Sequence, residues 1–591
     1  MAAASTPQPH DPSRPALPLG DSFHVFDTTL RDGAQREGIS YSVADKIAVA
    51  TLLDELGVGF IEGGWPGAVP KDTEFFARAA DGELALRTAT LVAFGATRKA
   101  GTRAQDDPQV RALLDSRAPV VTLVAKSDIR HVTRALRTTP EENLAMVADT
   151  VALLVAEGRR VFLDCEHFFD GYRVDHDYGL RVAEAGARAG ASVVVLCDTN
   201  GGMLPSRVGA VVGEVLERSG LRLGIHCQND TGCAVANTIA AVEAGVTHVQ
   251  CTANGYGERP GNADLFAVVG NLMTKMDLPV LPEGHLPEMV RVSHAIADLA
   301  NLTPDSHQPY VGSVAFAHKA GLHASAIKVD PDMYNHIDPA RVGNDMRILI
   351  TEMAGRASVE LKAAELGVDL SARPDVVSRV VDTVKTREAS GWSYEAADAS
   401  FLLLLRSEMG RRDGDTDGGG AVGARFPDVE RASGGAGESL PFQLESYRVI
   451  VEHSGGSDAI GTVNSISAVN SEATVKVHVG GRRVITTAEG NGPVNALDSA
   501  LRQAIVAHYP QLSTVGLTDY KVRILAGHAG TDSVTRVLVT SADANQEWTT
   551  VGVHANVVEA SFQALLDSLV YALGLPAPAI AAAPGAGAAS T

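Results

Sequence analysis

The 591 residues carry 50 Lys and Arg against 71 Asp and Glu, a net charge of −21, with 45% hydrophobic and 20% charged residues. That mixture excludes fibrous and wholly disordered chains, and at roughly 150 residues per domain the length implies several domains. The acidic excess disfavours phosphate backbones and anionic lipid, so neither nucleic acid nor a membrane is an expected partner.

Residues 1–20, rich in Ala and Pro and without a long apolar block, are expected to be disordered and give no secretory signal. No apolar run is long enough to span a bilayer. Five scattered cysteines, an odd number, fit a reducing cytoplasm better than a disulfide framework.

From residue 21 to 285 one pattern recurs: a short apolar, β-branched run, a polar turn, then an Ala/Leu-rich stretch of helical period. Eight such runs occur, at Phe23–Asp27, Gly59–Gly64, Thr88–Gly95, Ala118–Ala125, Arg160–Glu166, Ser192–Asp198, Leu221–Cys227 and Thr247–Asn254. Their starts lie 26 to 42 positions apart, which suits one strand plus a returning helix. Eight strand–helix units make an α/β fold of the (β/α)8 TIM-barrel type; a doubly wound sheet would show a glycine-rich first turn, where this chain has Thr28–Gly33 (TTLRDG).

Residues 286–410 predict a helical linker subdomain, with helices over Val359–Leu366, Asp375–Thr386 and Tyr394–Met409. The Gly-rich stretch 411–440 predicts a flexible linker. Residues 441–575 contain two copies of a β-β-β-α pattern: Ser446–Glu452, Ser471–Val479 and Arg482–Glu489 before a helix at Pro493–His508, then Tyr520–Ala526, Val534–Ser541 and Trp548–Val553 before a helix at Val557–Leu573. This duplication predicts a pseudo-symmetric α+β regulatory domain, and the tail 576–591 is expected to be disordered.

In such barrels the chemistry sits at the C-terminal ends of the strands. Arg31 and Asp32 follow strand 1, Glu166 and His167 end strand 5, Asp198 and Thr199 end strand 6, and His226, Gln228, Asn229 and Asp230 close strand 7. Strand 8 leads into Asn254–Asn262 (NGYGERPGN). Any one of these reads equally well as a helix cap or a solvated rim residue; it is their convergence on several strand ends that points to a site. A carboxylate, an imidazole and an amide oxygen make an open divalent-cation site, with Asp32, His226 and Asn262 as the expected ligands. Cys165, Cys197, Cys251 and His248 read as packing residues.

Phe26–Gln35 (FDTTLRDGAQ) resembles the signature of the acyl-transferring metallo-barrel family that includes 2-isopropylmalate, homocitrate and citramalate synthases and hydroxymethylglutaryl-CoA lyase. His226–Gly245 with Asn254–Asn262 resembles its second signature, and Ala488–Arg502 and Trp548–Ser561 look like its C-terminal regulatory domain. Glu62–Asp72, Cys165–Tyr172 and Phe316–Ile327 are more similar to the citramalate-forming branch than to the isopropylmalate-forming one. The resemblance implies condensation of acetyl-CoA, as co-substrate, with pyruvate on a threonine-independent route to isoleucine, and isoleucine as the amino-acid effector. It implies Asp32, His226 and Asn262 as metal ligands, Arg31 at the developing negative charge, and Glu166 and Thr199 placing substrate. It also implies that His323, with Tyr334, enters the site from the partner subunit of a homodimer and serves in acid/base catalysis.

One departure stands out. Where the family has His-x-His, this chain has His226-Cys227-Gln228. A Gln228 carbonyl oxygen suits Mg²⁺ or Mn²⁺ better than Zn²⁺, and alternation along the strand turns Cys227 to the other face. Two alternatives stay open: the larger keto acid of 2-isopropylmalate synthase, since one or two methylenes are worth only about 1–3 kcal/mol of discrimination, and a catalytically silent amino-acid sensor.

Overall fold

The structure, a computed structural model, describes residues 19–411, 442–453, 469–525 and 533–574. Of the N-terminal stretch 1–20 expected to be disordered, residues 1–18 lie outside the described residues, as do the tail 576–591 and the Gly-rich linker from 412 to 440, whereas Gly20 opens a 3₁₀ turn, Gly20–Ser22.

Eight parallel strands, β1 (His24–Asp27), β2 (Phe60–Gly64), β3 (Thr90–Ala96), β4 (Val120–Lys126), β5 (Arg160–Glu166), β6 (Val193–Asp198), β7 (Leu223–Cys227) and β8 (His248–Cys251), close into a barrel in sequence order. Period-2 alternation divides each strand between two apolar layers. Outward residues such as Val25, Ile61, Val121, Leu163, Leu196 and Ile225 pack in the core shared with the helices. Inward residues Phe26, Phe60, Val92, Val120, Phe162, Val193, Val195 and Cys197 form a second cluster that fills the barrel. Below it His24 and His248 lie against the same rings, with His24–Phe60 and His248–Phe162 centroids 4.8 and 5.0 Å apart. This plug leaves only the C-terminal mouth for chemistry.

Local signals set the element ends. Helix Val43–Leu56 starts at a capping box of Ser42 and Asp45 and stops at Gly57, whose φ of 96° favours glycine. Near that helix's end the carboxylate of Asp54 accepts the backbone N–H groups of Arg87, Thr88 and Ala89 at 2.7–2.8 Å, which pins the entry to β3. The eighth strand is shorter than the predicted Thr247–Asn254. It ends at Cys251 because Ala253–Gly255 coil into a 3₁₀ turn with Asn254 in the left-handed region.

The unit containing the barrel runs past the expected limit of 285, through Phe316, and takes in Asn335–Met346. The physical reason is the helix Met289–Leu299: Met289, Val292 and Ile296 are fully buried in the barrel's outer core. Ser293 Oγ donates to Asn254 Oδ1 at 2.7 Å, and Asn254 Nδ2 returns a bond to Ser293 O at 3.0 Å. This helix, within the stretch 286–410 expected as linker, is therefore part of the barrel unit.

The second unit comprises Ala317–Tyr334 and the described residues from Arg347 onward. Two short parallel strands, β9 (Ala317–His318) and β10 (Arg347–Ile348), join helices Gly321–Ile327, Arg356–Glu365, Pro374–Ala389 and Asp398–Gly410. The last helix begins four residues later than predicted, because Tyr394–Ala397 form a turn that buries the Tyr394 ring beside Phe401. Then come two antiparallel sheets: β11 (Phe442–His453), β12 (Val469–Val479) and β13 (Arg482–Gly490), followed by helix Pro493–Ile505; and β14 (Gly516–Ile524), β15 (Thr535–Ala542) and β16 (Glu547–His554), followed by helix Val557–Leu573. This is the duplicated β-β-β-α pattern expected from sequence. In the first copy Ala473, Val475 and Val477 pack with Ala496, Leu497, Ala500 and Leu501; in the second, Val537 and Val539 pack with Ala560, Ala564 and Leu565.

Candidate active site

After β1 the carbonyl of Thr28 accepts the N–H groups of Arg31, Asp32 and Gly33 at 2.9–3.2 Å, and this single tight turn folds Arg31 and Asp32 back over the barrel mouth. Arg31 Nε donates to Glu62 Oε2 at 2.7 Å, and Thr28 Oγ1 donates to the same oxygen at 2.6 Å. The guanidinium lies 4.0 Å from the centroid of Phe94, against which Trp65 packs edge-on. Burial alone would disfavour this cation, but Glu62 and Asp32 outweigh it and raise its pKa, so Arg31 is a fixed positive charge. Glu62, fully buried, was not singled out from sequence; its signal was a lone carboxylate inside an apolar strand.

Asp32, His226, Gln228 and Asn262 converge beside Arg31. His226 Nε2 lies 3.2 Å from Asp32 Oδ2, and Gln228 Nε2 donates to the same oxygen at 3.3 Å. Gln228 and Asn262 face each other across an isolated β-bridge, and Asn262 Nδ2 donates to Tyr256 O at 3.1 Å. Gly257 and Gly261 have φ of 155° and 97°, and a Cβ on either would strike the Asn262 amide or the Gly255 carbonyl, so the glycines set where Asn262 sits. The amide nitrogens are thus engaged, while Gln228 Oε1 and Asn262 Oδ1 are buried and accept no hydrogen bond from the described residues. Two orphaned carbonyl oxygens beside an imidazole nitrogen and a carboxylate are an acceptor-rich cradle that a hard cation satisfies.

Electrostatics agree. Burial would push the Asp32 carboxyl up, but Arg31 and the contact with His226 hold it well below the usual carboxylate range. His226, which burial would depress, is raised by Asp32, so the space between them favours a cation, either a proton on Nε2 or a metal ion. Among the described residues no group of three or more His, Cys, Asp and Glu converges, because half of this donor set is amide. Cys227 packs in the outer core, on the opposite face from His226.

Residues 22–296 match the HMGL-like family, residues 310–391 the homocitrate synthase post-HMGL domain-like family, and residues 441–573 the LeuA allosteric (dimerisation) domain. The chain is 60% identical to an (R)-citramalate synthase of Streptomyces coelicolor over 94% of this chain and 97% of the relative. It is 44% identical to an (R)-citramalate synthase of Synechocystis sp., over 94% and 96% of the two chains. The chain belongs to the 2-isopropylmalate synthase/homocitrate synthase family. Within that family a probable 2-isopropylmalate synthase of Methanopyrus kandleri is more distant, at 31% identity over 93% of this chain and 98% of the relative.

The structure sorts the other rim residues. Glu166 forms an ion pair with Lys126 at the end of β4, a partner that the sequence pattern did not reveal. Thr199 Oγ1 accepts the backbone N–H of His167 at 2.8 Å and so ties the end of β6 to the end of β5. His167 itself is left-handed, with φ of 58°, and stacks on His131 at 4.1 Å. Asp198 accepts the N–H groups of Gly202 and Met203, and burial raises its pKa to about 6; it anchors its loop. Asn229 caps the helix at Ala234, and Asp230 pairs with Arg259. His323 and Tyr334 stack on each other at 4.3 Å and belong to the second unit, whereas Arg31, Asp32, His226, Gln228, Asn262, Glu166 and Thr199 all belong to the first.

Proposed function

We propose that this chain is an acyltransferase that condenses acetyl-CoA with pyruvate and water to give (R)-citramalate and CoA. The observation that carries the reading is the near full-length similarity to (R)-citramalate synthases, spanning both the site-bearing unit and the C-terminal repeat. The site chemistry supports it. Asp32, His226, Gln228 and Asn262 would hold a divalent cation, which when bound would supply Lewis-acid polarisation of an α-keto acid's carbonyl. The amide oxygens of Gln228 and Asn262 favour Mg²⁺ or Mn²⁺ over Zn²⁺ there.

Arg31, charged and locked by Glu62 and Phe94, faces the oxygen that becomes negative as the new bond forms, and needs no reorganisation to do so. A proton leaves the acetyl methyl group, its carbon bonds to the keto carbon, and the former carbonyl oxygen ends protonated. Water then cleaves the thioester and the thiol of CoA departs. Glu166 and Thr199, joined through the β5 and β6 ends, place the substrates. His323, with Tyr334 stacked on it, supplies acid/base catalysis from the partner subunit of a homodimer. The LeuA-type repeat binds an amino-acid effector, isoleucine, on the route that consumes the product, and the enzyme works in the cytoplasm. Among the described residues no helix is long and apolar enough to cross a membrane.

The test is formation of free CoA thiol and of (R)-citramalate, resolved by chiral chromatography, from acetyl-CoA and pyruvate with Mg²⁺ or Mn²⁺. Activity that vanishes in Asp32→Asn is expected. A folded wild-type chain that binds isoleucine and makes no product under any divalent cation would contradict the enzyme and leave a sensor.

A further inference from the structure

We infer that Gln250, held in turn by Asp164, is a positioning residue that fixes the tautomer of His226 and so keeps its Nε2 lone pair directed at the cation site. The inference rests on the cation-site reading above and adds to it two residues that touch neither substrate nor cation.

The three side chains form one buried chain of hydrogen bonds. The β7–β8 register sets Gln250 directly beside His226, and His226 Nδ1 lies 2.9 Å from Gln250 Oε1. Gln250 then crosses the barrel interior to β5, where its Nε2 donates to Asp164 Oδ1 at 2.9 Å. Gln250 is 1% exposed and Asp164 4%, so water does not compete for these groups. With its Nε2 engaged by Asp164, the Gln250 amide turns its carbonyl oxygen, which can only accept, to His226 Nδ1. Nδ1 of His226 accordingly carries a proton whether the ring is charged or neutral, and in the neutral ring that is its only N–H, so Nε2 is the nitrogen that offers its lone pair to the cation.

This matters because a competing arrangement is close at hand. With the proton moved to Nε2, His226 would donate to Asp32 Oδ2, 3.2 Å away, and two of the four donors would satisfy each other. The Asp164–Gln250 pair opposes that closed tautomer and raises the basicity of Nε2, the work that a hydrogen-bond partner on the distal nitrogen does for metal-bound histidines generally.

The test uses the full-length chain stripped of metal and titrated with Mn²⁺, free Mn²⁺ being read by electron paramagnetic resonance. Wild type is expected to take up one Mn²⁺ per chain. Gln250→Met, which keeps the length but removes the acceptor, is expected to bind about 10–100-fold more weakly. The double variant Gln250→Glu/Asp164→Asn keeps an acceptor oxygen toward Nδ1 while the new amide N–H donates to the new carboxylate, and is expected to bind as wild type does, provided both variants unfold at wild-type temperature. Equal Mn²⁺ affinity in wild type and Gln250→Met would overturn the inference, and so would a double variant weakened as much as Gln250→Met. A wild-type chain that takes up no Mn²⁺ would overturn the cation-site reading first, and the inference with it.

Discussion

Arg31 is held by contacts of three kinds: a hydrogen bond to Glu62, the field of Asp32 and the face of Phe94. A lysine keeps the charge but can neither stack flat on Phe94 nor span the same partners. Arg31→Lys is therefore expected to lower kcat by about 100-fold with a smaller change in KM, measured by thiol release. At the cation site, Gln228→His restores a second imidazole. The ratio of Zn²⁺ to Mn²⁺ affinity, read by competitive loading and metal analysis, should rise about tenfold or more; an unchanged ratio would separate Gln228 from the metal. Asp32, His226, Gln228 and Asn262, which the fold brings together, could be named from sequence because each lies at or beyond the C-terminal end of a strand, and strand ends define the barrel mouth. Glu62, Lys126, Asp164 and Gln250 could not be. Their roles depend on which side chains meet within the mouth or cross the barrel interior, and periodicity along a single strand carries no such information.

Among the elements, β3 depends on the helix Val43–Leu56, from which two other elements separate it in the chain. The three N–H groups gathered by Asp54 lose their acceptor in Asp54→Ala, which should destabilise the barrel by about 2–3 kcal/mol and lower its unfolding temperature with little effect on KM. In the second unit Gly552 on β16 lies so close to the helix Val557–Leu573 that an added Cβ would meet the Ala560 carbonyl and the Ala564 nitrogen, both backbone atoms that cannot swing aside. Gly552→Ala is expected to loosen that helix, seen as faster hydrogen exchange over 557–573, while exchange in β1–β8 stays as in wild type. Element types were readable because strands alternate and helices carry caps. Their ends were less so: the early stop of β8 and the late start of helix Asp398–Gly410 reflect Asn254 adopting a left-handed turn and Tyr394 being drawn into the core, both set by packing.

Across the whole molecule, the barrel's closed lower end couples stability to pH. Burial lowers the pKa of His24 to about 4, against a favourable contact with Asp21, and depresses His248 further. The folded chain thus resists a proton that the unfolded chain, with an ordinary histidine near 6.5, accepts. The contribution of His24 is present in full above pH 6.5 and is lost as pH falls toward 4. In the difference between wild type and His24→Phe, where titrating groups away from His24 cancel, the unfolding temperature of wild type should drop relative to the variant across that window; a flat difference would mean that His24 is already protonated in the fold. The eight strand–helix units and the two β-β-β-α copies were visible as changes of period and composition. The extension of the barrel unit to Phe316 was not, since only packing assigns Met289–Leu299 to it.

Condensation of acetyl-CoA with pyruvate at the mouth of this barrel is tested most directly by kcat/KM for pyruvate, 2-oxoisovalerate and 2-oxoglutarate, each with saturating acetyl-CoA and Mn²⁺, by thiol release. Pyruvate is expected to give the highest value, with 2-oxoisovalerate lower by about tenfold or more; a higher value for 2-oxoisovalerate would contradict pyruvate as the keto acid.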